Sequence, residues 1–229
     1  MRKPKTAVLF LESDEILRAG AVSVLEADGR FSVGRARNAA EARLEWSLRP
    51  SVLVLPVDRE AFDPYAWLAL ARERAGVKVL LALDPDENPA FVRPLLKRGA
   101  CGYVERTSDA AKLPELLERV LLEGRVEEGG AVCRALAEYE AVRAKHASLL
   151  GLLEGLSDTA YAALVGPLAG DSDAETAERL SRVVRSVRDA RSEAKKTLLR
   201  AGLTRESVIE AIEELRLAEK TGGRLPALR

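Results

Sequence analysis

RPSVLVLPVDRE, residues 49–60, holds an unbroken apolar run from Val52 to Val57 between Arg49-Pro50 and the charged Asp58-Arg59-Glu60. A run this short, built from valine and leucine and fenced by charge, is the pattern of a strand buried on both faces. Such strands belong to parallel sheets covered by helices. The carboxyl end of a central strand is where ligands and chemistry collect in these sheets. Here that end carries Pro56, which has no backbone N–H to donate and no group that titrates or attacks.

Working outward from this run, strand and helix patterns alternate. TAVLFL (6–11), FSVGRA (31–36), VKVLLAL (77–83) and ACGYVE (100–105) read as further strands. Between and after them EILRAGAVSVLEADG (15–29), NAAEARLEWSLR (38–49), DPYAWLALARERAG (63–76), ENPAFVRPLLKRG (87–99) and DAAKLPELLERVLLEG (109–124) have helical apolar spacing. Asn38 is a good N-cap; Pro64 falls in a first turn and Gly76 after a last one. Pro94 and Pro114 interrupt two of the helices. Five βα units in succession predict an α/β domain over 1–124, a (βα)5 flavodoxin-like parallel sheet with helices on both sides.

Composition narrows the function classes. The 229 residues suit one large domain or two small ones. Lys+Arg and Asp+Glu are both 36, and hydrophobic residues make up 47%, enough for a packed core. Cys101 and Cys133 make neither a disulfide framework nor a metal cluster. No apolar stretch is long enough to span a bilayer, and MRKPKTAVLFLES is a poor signal peptide. A cytoplasmic protein without membrane contact, metal or cofactor is expected. No glycine-rich phosphate loop and no nucleophile–base pair stands out, so enzyme function is not expected.

LRPSVLVL, then KRGACGYVERT and LPELLERVLLEG, resemble the receiver domain of bacterial response regulators of the NarL/FixJ type. The resemblance implies an acid pair after the first strand, a phosphoacceptor aspartate ending the third, a hydroxyl ending the fourth and a lysine ending the fifth. This chain departs at each place. The acid pair becomes Glu12-Ser13, followed by Asp14; the phosphoacceptor position falls on Pro56; the hydroxyl position on Leu83 or Asp84; the lysine position on Arg106. Asp58 lies two residues beyond Pro56, displaced by about 6–7 Å at strand rise. The expectation is a pseudo-receiver without aspartyl phosphorylation. Glu12, Asp14, Asp84 and Arg106 are expected either to form an ion cluster in place of a metal or to be solvated loop residues.

Residues 125–155 read as a helical linker. VEEGG (126–130) is a break, and AVCRALAEYEAVRAKHASLLGLLEG (131–155) reads as one helix. Ala135, Tyr139, Val142, His146, Leu149 and Leu153 follow a 4-3-4-3-4 spacing. That seam serves a homodimer or a helix packed on its own domain equally well. His146 is the only histidine; in a dimer seam its protonation near about pH 6 would loosen the dimer.

Residues 156–218 resemble the four-helix DNA-binding module of the NarL/LuxR family, with a helix-turn-helix. The matches are Leu156-Ser157, Leu164, Gly170, Ser172-Asp173, Ala177-Glu178-Arg179-Leu180, Arg185-Ser186-Val187-Arg188 and Gly202-Leu203. Ala160 stands where that module has a glutamate, and Thr176 where it has an apolar residue. The turn, there Gly-Ile-Ser, is Ser181-Arg182-Val183, and without a glycine the two helices are open to fusing into one. Arg179, Arg182, Arg185, Arg188, Arg191, Lys195, Lys196 and Arg200 face only two acids, Asp189 and Glu193, over 179–200. Such an excess suits phosphate contact; Arg182, Arg185, Arg188, Arg191, Lys195 and Lys196 are the candidate contacts with double-stranded DNA. Residues 219–229 read as a flexible tail. Together these readings predict a phosphorylation-independent, dimeric DNA-binding transcription regulator. The alternative is an adaptor that binds proteins, with a partner at the receiver face.

Overall fold

The computed structural model describes residues 4–58, 60–106, 108–128, 130–168 and 170–219. The tail expected at 219–229 therefore lies, from 220 on, outside the described residues. The chain divides into two units. One comprises the residues up to Glu87 and Phe91–Arg134, the other Asn88–Ala90 and the residues from Ala135 on.

The first unit contains β1 (Thr6–Leu11), α1 (Glu15–Asp28), β2 (Phe31–Ala36), α2 (Ala39–Glu45), β3 (Val52–Pro56), α3 (Pro64–Arg72), β4 (Lys78–Leu83), all but the first two residues of α4 (Pro89–Lys97), β5 (Gly102–Glu105), α5 (Leu113–Glu123) and β6 (Val126–Glu128). All strands are parallel, in the order β2-β1-β3-β4-β5-β6. Val52, Leu53, Val54 and Leu55 of β3 are fully buried at the centre of that sheet, as the opening run requires. Helix starts follow the capping residues. Asp14 accepts from the Ile16 and Leu17 amides, Asn38 from those of Ala40 and Glu41, and Asp63 from that of Tyr65. The helix expected over 38–49 is α-helical only to Glu45 and ends in a 3-10 turn, Trp46–Leu48. The start expected at 109 is likewise a 3-10 turn, Ala110–Lys112, ahead of α5.

Two expectations are corrected. The break at 126–130 is in part a sixth strand. Gly102 makes it possible: with φ 144°, any Cβ there would stand 1.6 Å from the Val126 carbonyl oxygen, so only glycine lets β6 approach β5. The single helix expected over 131–155 is two, α6 (Gly130–Lys145) and α7 (Ala147–Glu154), parted at His146. The start of α6 is held by Glu105, whose Oε1 accepts from the Ala131 and Val132 amides at 2.8 and 2.9 Å.

The second unit continues with α8 (Asp158–Val165), a 3-10 turn (Gly166–Leu168), α9 (Asp173–Arg179), α10 (Val184–Arg200) and α11 (Arg205–Glu219). Its core gathers Tyr139, Leu149 and Leu153 with Leu198, Val208, Ile212 and Leu215. The seam Tyr139, Val142, His146, Leu149 and Leu153 is thus packed within the unit, with Val142 and His146 partly buried at its edge. A homodimer through those side chains would have to open this core. The expected acid loosening of such a dimer loses its basis. His146 instead points Nε2 at Glu214 Oε2, 2.9 Å away, beside Lys145, which also pairs with Glu214.

Candidate functional sites

The first site lies where β1, β3, β4 and β5 end. Pro56 is the last residue of β3 and is buried. The amide of Val57 donates to Ala82 O across β4, so the Pro56 nitrogen, one residue earlier, is turned to the β1 side. Pairing with β1 has already stopped there, at Val54–Phe10. The sheet therefore loses no ladder bond to this proline.

Glu12 follows β1 and is almost fully buried. Its Oε1 accepts from the Asp14 amide at 2.9 Å and from Arg106 Nη2 at 2.7 Å. Arg106 follows β5, and its Nη1 reaches Asp84 Oδ2 at 3.1 Å, beyond β4. One guanidinium thus ties the ends of three strands. Arg18 Nη1 adds a bond to the Glu12 carbonyl oxygen at 2.6 Å. Burial pushes the Glu12 carboxyl above the usual glutamate value, against the pull of the Asp14 amide and of Arg106.

Of the expected cluster, Glu12, Asp84 and Arg106 come together. Asp14 turns away to cap α1, and its amide partners at Leu17 and Ile16 hold it below the usual aspartate value. Ser13 donates to Asp58 Oδ2 at 3.1 Å, while Asp58 Oδ1 accepts from the Glu60 and Ala61 amides. Leu83 is core and fully buried, while Asp84, the next residue, is the one that reaches the cluster. A cavity of about 180 Å³ opens beside the cluster, walled by Phe10, Ile16, Leu17, Val104 and Leu113. Among the described residues no three His, Cys, Asp or Glu side chains converge as metal ligands.

The second site is the α9–α10 pair. Ser172 caps α9 in a reciprocal capping box with Glu175. The helix stops after Arg179 without a glycine. Ser181 takes the left-handed conformation, φ 51°. The Arg182 amide then bonds Ala177 O at 2.8 Å and the Ser181 amide bonds Glu178 O at 3.0 Å. This is a Schellman stop made with serine. Val183 is extended, and α10 starts anew at Val184. The two helices do not fuse.

No family model matches the chain, and no curated protein matches it. Solved structures do. The RcsB–DNA complex, a two-component response regulator, aligns with a TM-score of 0.56 at 16% identity over 93% of this chain and 100% of that one. A LuxR-family response regulator from Aurantimonas sp. SI85-9A1 aligns at 0.52 with 23% identity over 60% of this chain and 99% of that one. RcsB of Salmonella typhimurium aligns at 0.50 with 19% identity over 88% and 94%. The fold is that of a two-component response regulator. At these identities the likeness speaks for architecture, a receiver followed by a helix-turn-helix unit.

In that architecture α10 is the second helix of the α9–α10 pair. Val187, Ala194 and Leu198 are buried beneath it. At 100° per residue the opposite side carries Arg185, Ser192 and Lys196, with Arg188 and Lys195 on its flank. Arg182, Arg185, Arg188, Lys195 and Lys196 are exposed. Arg191 is not a surface cation. Its side chain is 19% exposed, its Nε donates to Ala163 O at 2.5 Å, and Nη2 lies 2.5 Å from Asp173 Oδ1. Inclusion of Arg191 among the DNA contacts is corrected accordingly: the position falls on the inward side of the helix. Sequence reading also missed Asp173, which pairs with Arg188 as well, and Glu105. The Ser-x-x-Glu box at 172–175 was a legible signal for the start of α9; nothing local signals a pairing between residues fifteen apart across a bend.

Proposed function

We propose that this chain is a DNA-binding transcription regulator whose receiver unit works without phosphotransfer. The observation that carries the DNA reading is the Schellman stop at Ser181, which makes α10 a separate helix with Arg185 and Lys196 on its outer side. Two of the similar solved structures are of RcsB bound to DNA, in keeping with that reading. Arg182, Arg185, Lys195 and Lys196 are the phosphate and groove contacts in this proposal. Pro56 supports the second half of the reading, since the β3 end offers no nucleophile. The Arg106 clamp between Glu12 and Asp84 takes up the groups that would otherwise face a cation.

The test is binding of the full chain to random-sequence duplex DNA at two salt concentrations. Four phosphate-neutralising side chains predict roughly a hundredfold loss of affinity between 50 and 200 mM salt. The affinity should be the same with and without acetyl phosphate and Mg²⁺. Absence of any shift would favour an adaptor that binds proteins through the receiver face. Stable phosphoryl labelling would refute phosphorylation independence while leaving DNA binding intact.

A further inference from the structure

The positive charge of α10 is not all available to a ligand. Asp173, the first residue of α9, stands against two guanidiniums of α10. Arg188 Nε donates to its Oδ2 at 3.0 Å, and Arg191 Nη2 stands 2.5 Å from its Oδ1. Arg191 is further fixed by its bond to Ala163 O. Arg188 is different: its side chain is 69% exposed, on the flank of the helix where a DNA backbone would pass. It is surface charge already neutralised by an internal anion.

We propose that Asp173 withholds Arg188 from DNA, and so sets the strength of the sequence-independent part of binding. The inference rests on the DNA-binding reading. A cation contributes to phosphate affinity largely by displacing counterions condensed on the duplex. Arg188 must first share or give up a carboxylate at hydrogen-bond distance, a charge-assisted contact of the same kind as the one a phosphate offers. The exchange is close to neutral. Asp173 stays ionised at neutral pH, because its bond to Arg188 holds it below the usual aspartate value, with Arg191 adding to the effect. Arg185 shows the contrast. Its nearest acid, Asp189, is 3.9 Å away and both side chains are largely in water; Lys196 and Glu193, 2.7 Å apart, are both exposed as well, so neither pair restrains its cation as the half-buried Asp173 does Arg188. A phosphate contact serves specific and non-specific complexes alike, so withholding Arg188 weakens both.

The experiment measures affinity of the full chain for a random-sequence duplex across a salt series, with four variants. Arg185→Gln should lower affinity and reduce the salt slope by about one unit. Arg188→Gln should leave both nearly unchanged. Asp173→Asn should tighten binding and raise the slope by about one unit, and adding Arg188→Gln to it should return the slope to the wild-type value. Asp173→Asn also strips a partner from Arg191, so the helix-turn-helix unit is followed by circular dichroism and thermal melting. The comparison of Asp173→Asn with its Arg188→Gln double variant cancels that loss. A slope loss from Arg188→Gln equal to that from Arg185→Gln would overturn the proposal, as would an unchanged slope in Asp173→Asn. Wild-type protein that ignores the duplex would overturn the DNA reading itself, and this inference with it.

Discussion

A carboxylate sealed from water costs free energy that one guanidinium at its edge recovers only in part. Glu12 is in that position, buried at the end of β1 with Arg106 Nη2 at 2.7 Å, and its carboxyl is still raised above the usual value. The folded protein therefore binds this proton more readily than the unfolded chain does. Its contribution to stability is full below the ordinary glutamate pKa and falls as pH rises through the raised one. Glu12→Gln abolishes that slope. Denaturant unfolding at pH 5 and at pH 8 should show the variant gaining on wild type as pH rises. A difference independent of pH would contradict it. This residue pair was half legible in the sequence. Glu12, Asp84 and Arg106 stand at three predicted strand ends, which is why they meet. Asp14 was misplaced because it was counted as an acid of the site; it stands directly before an apolar helical run, the position of an N-cap.

Between elements, the turn at 180–183 decides whether there are one or two helices. It is built with a serine at φ 51°, where a side chain costs roughly 1 kcal/mol over glycine. Ser181→Gly should stabilise the helical unit by about 0.5–1 kcal/mol in chemical denaturation and leave DNA affinity unchanged. A fall in stability would mean that the hydroxyl or the stiffer backbone matters more than the strain. Sequence rules look for glycine at such a stop and found none, so the bend was left open. The other misread elements have physical reasons of the same kind. Strand β6 is three residues long, too short for any periodicity, and exists because Gly102 leaves room for the Val126 carbonyl. The break between α6 and α7 falls at His146, an ordinary helix residue by propensity, whose ring is drawn to Glu214 sixty-eight positions away.

Across the molecule, the response-regulator architecture was the most legible feature, because parallel strands buried on both faces write themselves as apolar runs, and β3 is the clearest of them. The a/d seam from Tyr139 to Leu153 shows the limit of such reading. Spacing says that a face will be covered, and α10 and α11 of the same chain cover it. Only the fold could choose between that and a second copy. The Arg106 clamp has a last consequence, for any nucleophile engineered into the end of β3. A carboxylate placed at position 56 meets a Glu12 and an Asp84 that one guanidinium already holds. Pro56→Asp alone should take up no phosphoryl group from acetyl phosphate with Mg²⁺, as intact-mass spectrometry would record. Installing phosphotransfer at this sheet edge would take a second substitution that frees the two acids from their shared cation.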